Sequence, residues 1–400
     1  MNNTDMAPQG KGRGWEESGF SLVELLIYMG LLGILLTMVF STFIPVMQSG
    51  SRQWRIGETK IETGVGLDLL RADLASAGFG LPWEFPVGVT PSPYIEPGPL
   101  ADVPDVPKAV NSEDNSAAGR NNSDYLVIRG TTVTFNDSAQ RWGWLGRDIS
   151  HNADLQLLSD PGQQFVSTGL TPDQVLVIQP TAEGRERHRL VLNGTSYAAI
   201  PTTAALDPFA PPPTGFDPQN ERYLVYGISN TAPRRPFNRT DYYISLSNAN
   251  VSAHCAPGTG TLVKATLNQG DDNVTTYPIV DCVADFQVVY YLDTDGDGGA
   301  DTIVNASGLN GLTAQQIREQ VKSVRCYILT HEGGVDPSYT YPNANITVGE
   351  VDSNGNPAQA TDGTTAGRVL APNDMTNICP TWRNYRWKVY GLAVSPKNLN

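Results

Sequence analysis

Histidine, cysteine and basic residues are scarce in this sequence of 400 residues. It contains 4 histidines, 4 cysteines, and 27 lysine and arginine residues against 41 aspartate and glutamate residues, for a formal net charge of −14 at pH 7. Nucleic acids and anionic lipid headgroups need a basic surface on their protein partner, and an acidic chain does not offer one. We therefore expect no nucleic-acid partner.

The common catalytic motifs are missing as well. The sequence has no Gly-x-Ser-x-Gly elbow, no Walker A loop and no His-Glu-x-x-His zinc motif. Its four histidines occur singly, and a lone histidine is more often structural or exposed than catalytic. The sequence therefore does not predict an enzyme, and it requires no cofactor.

The four cysteines all follow residue 250, and they are Cys255, Cys282, Cys326 and Cys379. An even number of cysteines outside the cytoplasm suggests two disulfides, and three pairings remain open. We favour Cys255–Cys282 and Cys326–Cys379, with buried free thiols as the alternative. A zinc site is disfavoured, because no Cys-x-x-Cys occurs and only His254 lies near a cysteine.

A long apolar run, "GFSLVELLIYMGLLGILLTMVF", occupies residues 19–40, and Glu24 is the only formal charge between Phe20 and Ile44. A helix over 20–44 would reach about 37 Å at about 1.5 Å per residue, which exceeds the roughly 30 Å of a bilayer core. A secretory signal peptide would have a shorter apolar core followed by a cleavage site. A simple membrane anchor would not explain Glu24, because a carboxylate inside a membrane span is costly and usually functional.

Together Gly19, Phe20, Glu24 and the apolar run resemble the prepilin signature of type IV pilins and type II secretion pseudopilins. The resemblance implies that prepilin peptidase cleaves between Gly19 and Phe20 and that Phe20 is then N-methylated. It also implies that Glu24 pairs with the terminal ammonium of a neighbouring subunit, a partner that the carboxylate acquires only on assembly. The protein would first span the inner membrane once, with a cytoplasmic N-terminus, and would reach the pilus and cell surface after assembly.

The rest of the chain predicts a helix followed by a β-rich body. We divide the sequence into a leader (1–19), a transmembrane helix (20–44), its amphipathic continuation (45–80) and an extracytoplasmic β-rich domain (81–400). The apolar stripe expected on the continuation consists of Trp54, Ile61, Val65 and Leu69, with Leu70 and Leu74 beside it. Segments of strand type are 124–135, 174–180, 187–194, 222–229, 240–246, 260–267, 285–293, 321–330 and 386–394. Thr313 is expected to cap a short helix. The predicted fold is α+β and pilin-like, with the long helix packed on an antiparallel sheet that carries large loop insertions.

Five stretches of the body add a narrower resemblance. They follow in order as "LRADLASAGFG" (70–80), "YYISLSNANVSAHCAPGTGTLVKATL" (242–267), "DFQVVYYLDTDGDGGAD" (285–301), "VKSVRCYILT" (321–330) and "YRWKVYGLAV" (385–394). Together they look like the PilW-type minor pilins, relatives of the J-type pseudopilins. This resemblance implies a priming or tip complex of a type IV pilus. Its partners would be other minor pilins, the major pilin, a tip adhesin and the inner-membrane assembly platform. The alternatives are a J-type pseudopilin at the tip of a type II secretion endopilus, and a surface adhesin or enzyme on a pilin anchor.

The stretch "DTDGDGGAD" (293–301) is the one metal-like motif. Asp293, Asp295 and Asp297 alternate and Asp301 follows, as in the first half of an EF-hand calcium loop. Val304 stands where that loop would place its bidentate glutamate. Aspartate and glycine also form turns without any metal. Ca²⁺ binding and a simple acidic turn therefore both remain open.

Overall fold

The structure is a computed structural model that describes residues 21–117, 120–148, 154–180, 188–213, 222–246 and 254–399. Within the first helix, the side chains of residues 44–46, 48–49, 51–56 and 58–62 lie outside that description. Gly19 and Phe20 also lie outside the described residues.

The first element is one helix, α1 (Leu22–Ala75), of 54 residues. The chain divides into two compact units between Trp54 and Arg55, so α1 contributes its first part to one unit and its last part to the other. The predicted continuation to residue 80 is five residues too long. Residues 76–80 form turns, in which Gly78 and Gly80 adopt positive φ values of 81° and 65°.

The body is built on an eight-stranded antiparallel sheet. Its strands are β1 (Val110–Glu113), β2 (Tyr125–Gly130), β9 (Asn238–Ser245), β10 (Gly260–Leu267), β11 (Val274–Leu292), β12 (Thr302–Asn305), β13 (Val321–Glu332) and β16 (Arg386–Val394). They lie in the order β1–β2–β9–β10–β11–β13–β16, with β12 paired to β11. The predicted α+β fold is therefore confirmed.

Two of these strands differ from their predicted bounds for local reasons. β2 ends at Gly130 rather than at residue 135, because the Thr131 N–H donates to the Phe79 carbonyl and the chain leaves the sheet. β11 begins eleven residues before the predicted start. Pro278 lies within this added part of β11, beside a register shift of the β10–β11 pairing, where a missing N–H is tolerated.

The segment between β2 and β9 forms a second sheet. The sequence predicted strands at 174–180, 187–194 and 222–229 but not their grouping in a separate sheet. This sheet contains β3 (Trp142–Asp148), β4 (Asp154–Leu158), β5 (Gln174–Pro180), β6 (His188–Leu190), β7 (Ala198–Ala199) and β8 (Tyr223–Ser229), with the short helix α2 (Thr203–Leu206) between β7 and β8. The order is β4–β3–β8–β5–β6, with β7 paired to β5. Both faces of this sheet carry a buried apolar cluster, one around Val175 and Val225 and the other around Leu176 and Ile228.

The last turns of α1 pack on one face of the main sheet. Leu70 and Leu74 are fully buried, in one cluster with the alternate β13 residues Val324, Cys326 and Ile328. The predicted stripe is wrong at Val65, which is 68% exposed. The contact instead runs through Gly66, where an added Cβ would lie 2.4 Å from the Ile279 carbonyl oxygen.

A smaller layer covers the opposite face of the main sheet. It consists of β14 (Ile346–Gly349), β15 (Gly367–Leu370) and α4 (Pro372–Ile378). The helix α3 (Ala314–Gln320) precedes β13 and is not part of this layer, because its Ile317 packs in the cluster of Leu70 and Leu74. Leu329 of β13 points into this layer, where it joins Val348, Leu370 and Met375 in a second core. The predicted cap of α3 is confirmed, because Thr313 and Gln316 form a reciprocal capping box.

A buried ionic cluster joins the irregular segment 81–109 to the main sheet. The Glu96 carboxylate lies 2.7 Å from Arg129 Nε and 3.0 Å from Arg239 Nη1, and Arg239 also contacts Asp241 at 2.7 Å. The side chains of Glu96, Arg129 and Arg239 are completely buried. Their charges are therefore paired where water cannot solvate them, and removing one of them would leave its partner uncompensated.

Candidate functional site

The apolar part of α1 runs from Leu22 to Phe43, with 22 residues and a mean hydropathy of 2.3. At about 1.5 Å per residue this length reaches about 33 Å, which matches a bilayer core of roughly 30 Å. Its large side chains are exposed along the whole length, from Leu22 at 76% through Leu32 at 57% to Phe43 at 54%. By length and composition the segment can cross a membrane, and its exposed apolar side chains can contact lipid or another apolar helix.

Glu24 lies in the first turn of α1 and is exposed. A carboxylate in this position is favourable for the helix, because it faces the positive end of the helix dipole. The sequence places no basic residue between Phe20 and Ile44. A charge partner for Glu24 inside a membrane or a fibre would therefore have to come from a terminal ammonium or from another chain.

The cysteine predictions are half right. Cys255 and Cys282 form a disulfide, with their Cα atoms 4.9 Å apart. Cys326 and Cys379 are free and buried, so the predicted Cys326–Cys379 bond is wrong. The reason is the alternation of β13. Cys326 faces α1 in the first core, whereas Cys379 at the end of α4 belongs to the second core on the opposite face of the sheet.

The disulfide also argues against a zinc site at these cysteines. His254 lies close to Cys255 and Cys282, with one ligand-type atom from each within 4.8 Å of the others. Both sulfur atoms are consumed by the bond between them, and zinc requires thiolates. This group is therefore a disulfide and not a metal centre.

The acidic loop brings three of its four predicted aspartates together. Carboxylate oxygens of Asp293, Asp295 and Asp297 lie within 4.8 Å of one another. Asp301 instead accepts hydrogen bonds from the Thr294 hydroxyl at 2.6 Å and the Thr294 N–H at 2.8 Å. These bonds lower the pKa of Asp301 below its usual range, so it is ionised throughout the neutral range.

Asp293 organises the loop from its buried end. Although burial opposes ionisation, its pKa is lowered by the Lys322 ammonium 3.1 Å away and by the N–H groups of Gly296 and Gly298. These contacts compete with a cation for the Asp293 oxygens, while Asp295 and Asp297 are exposed. The donor set fits a hard cation only in part, since Ca²⁺ takes six to eight oxygen ligands. Ca²⁺ binding stays a prediction.

Two family models match this chain. Residues 241–398 match type IV pilus-assembly protein W, PilW, and residues 17–40 match the prokaryotic N-terminal methylation motif. No curated protein and no solved structure matches the chain. The PilW match covers β10, β11, β13 and β16 of the main sheet, whereas the second sheet precedes it. The resemblance predicted from the sequence is confirmed, and both matches point to a structural protein rather than to an enzyme.

Proposed function

We propose that this chain, a pilin-related protein of the type IV pilus, is a minor pilin that enters a priming or tip complex. The observation that carries the proposal is the start of α1, where the methylation motif overlaps an exposed apolar segment, Leu22–Phe43, whose one carboxylate, Glu24, lies in the first turn. Prepilin peptidase would cleave between Gly19 and Phe20, and Phe20 would then be N-methylated.

Glu24 would serve as the assembly residue. After cleavage, the new N-terminus at Phe20 carries an ammonium group at the start of the apolar segment. In a bundle of such helices, Glu24 of one subunit can pair with the ammonium of a neighbour and so set the stagger between the two subunits. Pairing removes the cost of an isolated charge in apolar surroundings, and that cost gives the contact its specificity.

The size of the body supports a non-repeating position. The second sheet adds a separate layer with two apolar clusters of its own to the main pilin-like sheet. Such bulk is easier to place at the end of a fibre than in every subunit of its shaft. The partners would be other minor pilins, the major pilin, the inner-membrane assembly platform and a tip adhesin. Before assembly the protein would cross the inner membrane once with its N-terminus in the cytoplasm.

Mass spectrometry of the N-terminal peptide tests this function. The peptide would be sought in sheared surface fibres and in the membrane fraction of the same cells. We expect a peptide beginning with methylated Phe20 in the fibres. The same peptide confined to the membrane would contradict a subunit of the fibre and favour a secretion pseudopilin, or an assembly primer that never leaves the cell envelope. A chain carrying Gly19→Leu should stay uncut, and normal trimming of that variant would exclude prepilin peptidase.

A further inference from the structure

A polar cleft of about 440 Å³ opens where the second sheet meets the main sheet. One wall is the turn after β2 and the end of β8, and the other is the end of β10 with the turn that follows it. The second wall lies within the PilW match, and the first precedes it. The cleft is therefore formed by the second sheet together with the part of the chain that matches the PilW model.

The chemistry of the walls is nearly neutral. They carry amide and hydroxyl side chains of asparagine, glutamine, threonine and serine, two aromatic rings and the aliphatic side chains of Ile228 and Leu267. Asp271 is the one ionisable carboxylate among the described lining residues. The Asp271 carboxylate accepts bonds from the N–H and the side chain of Asn273. Such walls offer hydrogen bonds to a neutral polar ligand and little attraction to a charged one.

Two hydroxyl groups in the cleft lack a partner. Thr134 and Thr266 line it, each is 7% exposed, and neither Oγ1 atom has a hydrogen-bond partner among the described residues. Leaving a buried hydroxyl unbonded is costly, so native structures rarely do so without a reason. Neighbouring atoms cover both oxygens almost completely, so a ligand removes the cost only where its hydroxyl groups reach them.

The cleft walls are held in place by side chains that form hydrogen bonds with other groups of the protein. Gln269 Nε2 donates to Asn238 Oδ1 at 3.0 Å, and its Oε1 accepts from the Arg234 N–H at 3.0 Å. Asn238 in turn donates to the carbonyls of Thr131 and Ile228. These contacts fix both walls before any ligand arrives, which favours affinity because little has to be ordered on binding.

One aromatic ring in the cleft presents a surface to solvent. Phe135 is 54% exposed, and its ring centre lies 4.9 Å from that of Tyr277 in an edge-to-face arrangement. The Nζ of the buried Lys264 lies 4.3 Å from the centre of the same ring. The ring is therefore held by two neighbours while it remains accessible.

We propose that this cleft binds a neutral oligosaccharide. A sugar combines hydroxyl groups, which suit Thr134, Thr266 and the amides, with an apolar C–H face, which suits an exposed aromatic ring such as Phe135. Polar groups in a preformed concave site also fix the orientation of a ligand and thereby its specificity.

The test uses the full chain purified in a zwitterionic detergent, because maltoside and glucoside detergents carry competing sugars. The probe is an array of neutral oligosaccharides of glucose, galactose, mannose and N-acetylglucosamine, followed by titration calorimetry with any that bind. We expect binding that weakens at least tenfold in the double variant Thr134→Val, Thr266→Val. The melting temperature of this variant should not fall, because each substitution removes an unbonded hydroxyl.

Thr132→Val is the matched control, because Thr132 Oγ1 is also buried without a partner but does not line the cleft. It should bind the sugar as the parent does. Should the double variant not fold, Phe135→Leu at the exposed ring is the second variant, with the same expected loss. Absence of binding to every neutral oligosaccharide, or equal binding by the cleft variants, would overturn the proposal. Cleft-dependent binding of peptides or of charged glycans alone would overturn it as well.

Discussion

Lys264 Nζ on β10 lies 2.6 Å from Asp73 Oδ2 on α1, and both side chains are buried. The Tyr242 hydroxyl on β9 donates to the same carboxylate oxygen at 2.6 Å. Burial raises the pKa of Asp73, while Lys264 and Tyr242 oppose that shift. The Asp73 carboxylate on the helix therefore binds side chains from two strands of the sheet. It is buried, like the neighbouring core residues Leu70 and Leu74.

We expect Asp73→Ala to destabilise the protein by about 3–5 kcal/mol, because it leaves the Lys264 ammonium buried without its partner. Thermal or urea unfolding of the full chain measures this. The control is Asp68→Ala, which breaks the Asp68–Arg71 pair one turn earlier on the exposed side of α1 and should cost under about 1 kcal/mol. Equal costs for the two variants would show that the buried contact does not anchor the helix. Lys264→Met added to Asp73→Asn should recover part of the loss.

The N-terminal helix gives the second prediction. Glu24→Gln removes the charge that would pair with a neighbouring N-terminus, so it should leave cleavage unchanged and reduce the amount of the chain in sheared fibres at least tenfold. Immunoblots of fibres and membranes measure both quantities. Glu24→Asp keeps the charge and should retain more of the incorporation. Normal incorporation of Glu24→Gln would refute the pairing.

The cysteines give the third prediction, which thiol counting checks. A maleimide should label no cysteine in the native chain, two after unfolding without reductant, and four after unfolding with reductant, because Cys326 and Cys379 are free and buried. Replacing both Cys255 and Cys282 by serine should cost about 3–4 kcal/mol in the loop-entropy description, given their separation of 27 residues. Absence of labelling in the unfolded, unreduced chain would show that Cys326 and Cys379 are bonded to each other after all.

The cysteines also show how far the sequence could predict this protein. Alternation of apolar and polar residues is a local signal, and it gave the observed bounds of β5, β10 and β16. The face of a strand depends on its pairing register, so alternation alone could not place Cys326 and Cys379 on opposite sides of the main sheet. Three strands of the second sheet, β5, β6 and β8, were predicted, but β3 and β4 were missed for a similar reason. β3 contains Gly143 and Gly146, and Gly143 packs against the Leu158 carbonyl, a contact that only the fold defines.

The candidate sites likewise fall into those that a contiguous stretch of sequence reveals and those that only the fold assembles. The N-terminal signature is contiguous in sequence, so Glu24 and its apolar helix were found directly. The ionic group of Asp73, Tyr242 and Lys264 and the hydroxyls of Thr134 and Thr266 come from distant segments. Nothing in their local sequence distinguishes them from exposed polar residues, and only the assembled sheets bring them together.

The acidic loop gives the fourth prediction. If it binds Ca²⁺, calorimetric titration of the full chain should release or absorb heat, and the signal should disappear in the double variant Asp295→Asn, Asp297→Asn. These two residues are chosen because Asp293 already bonds Lys322, Gly296 and Gly298. Asp352→Asn is the control, since Asp352 accepts backbone bonds in another exposed loop. No heat from the parent chain would leave the acidic turn as the correct interpretation.

A buried histidine gives the last prediction. His331 is fully buried; its Nε2 accepts from the Ala256 N–H at 2.9 Å, and its Nδ1 lies 2.9 Å from the Gly333 carbonyl oxygen. This arrangement requires the neutral ring with its proton on Nδ1. Burial lowers the pKa of His331 from 6.5 to about 4, although the bond to Gly333 opposes the shift.

Because the folded pKa lies below the unfolded one, the contribution of His331 to stability is complete above pH 6.5 and is lost as the pH falls toward 4. A difference of about 2.5 pKa units corresponds to about 3 kcal/mol. We therefore expect the free energy of unfolding to fall across this range, as measured by urea unfolding at several pH values. His331→Gln keeps an acceptor for Ala256 and does not titrate, so it should flatten the slope. His188 is a half-buried histidine whose pKa is also lowered by burial. The control variant His188→Gln should keep most of the parent's dependence of the unfolding free energy on pH. A parent slope unchanged by His331→Gln would assign the acid sensitivity to other groups.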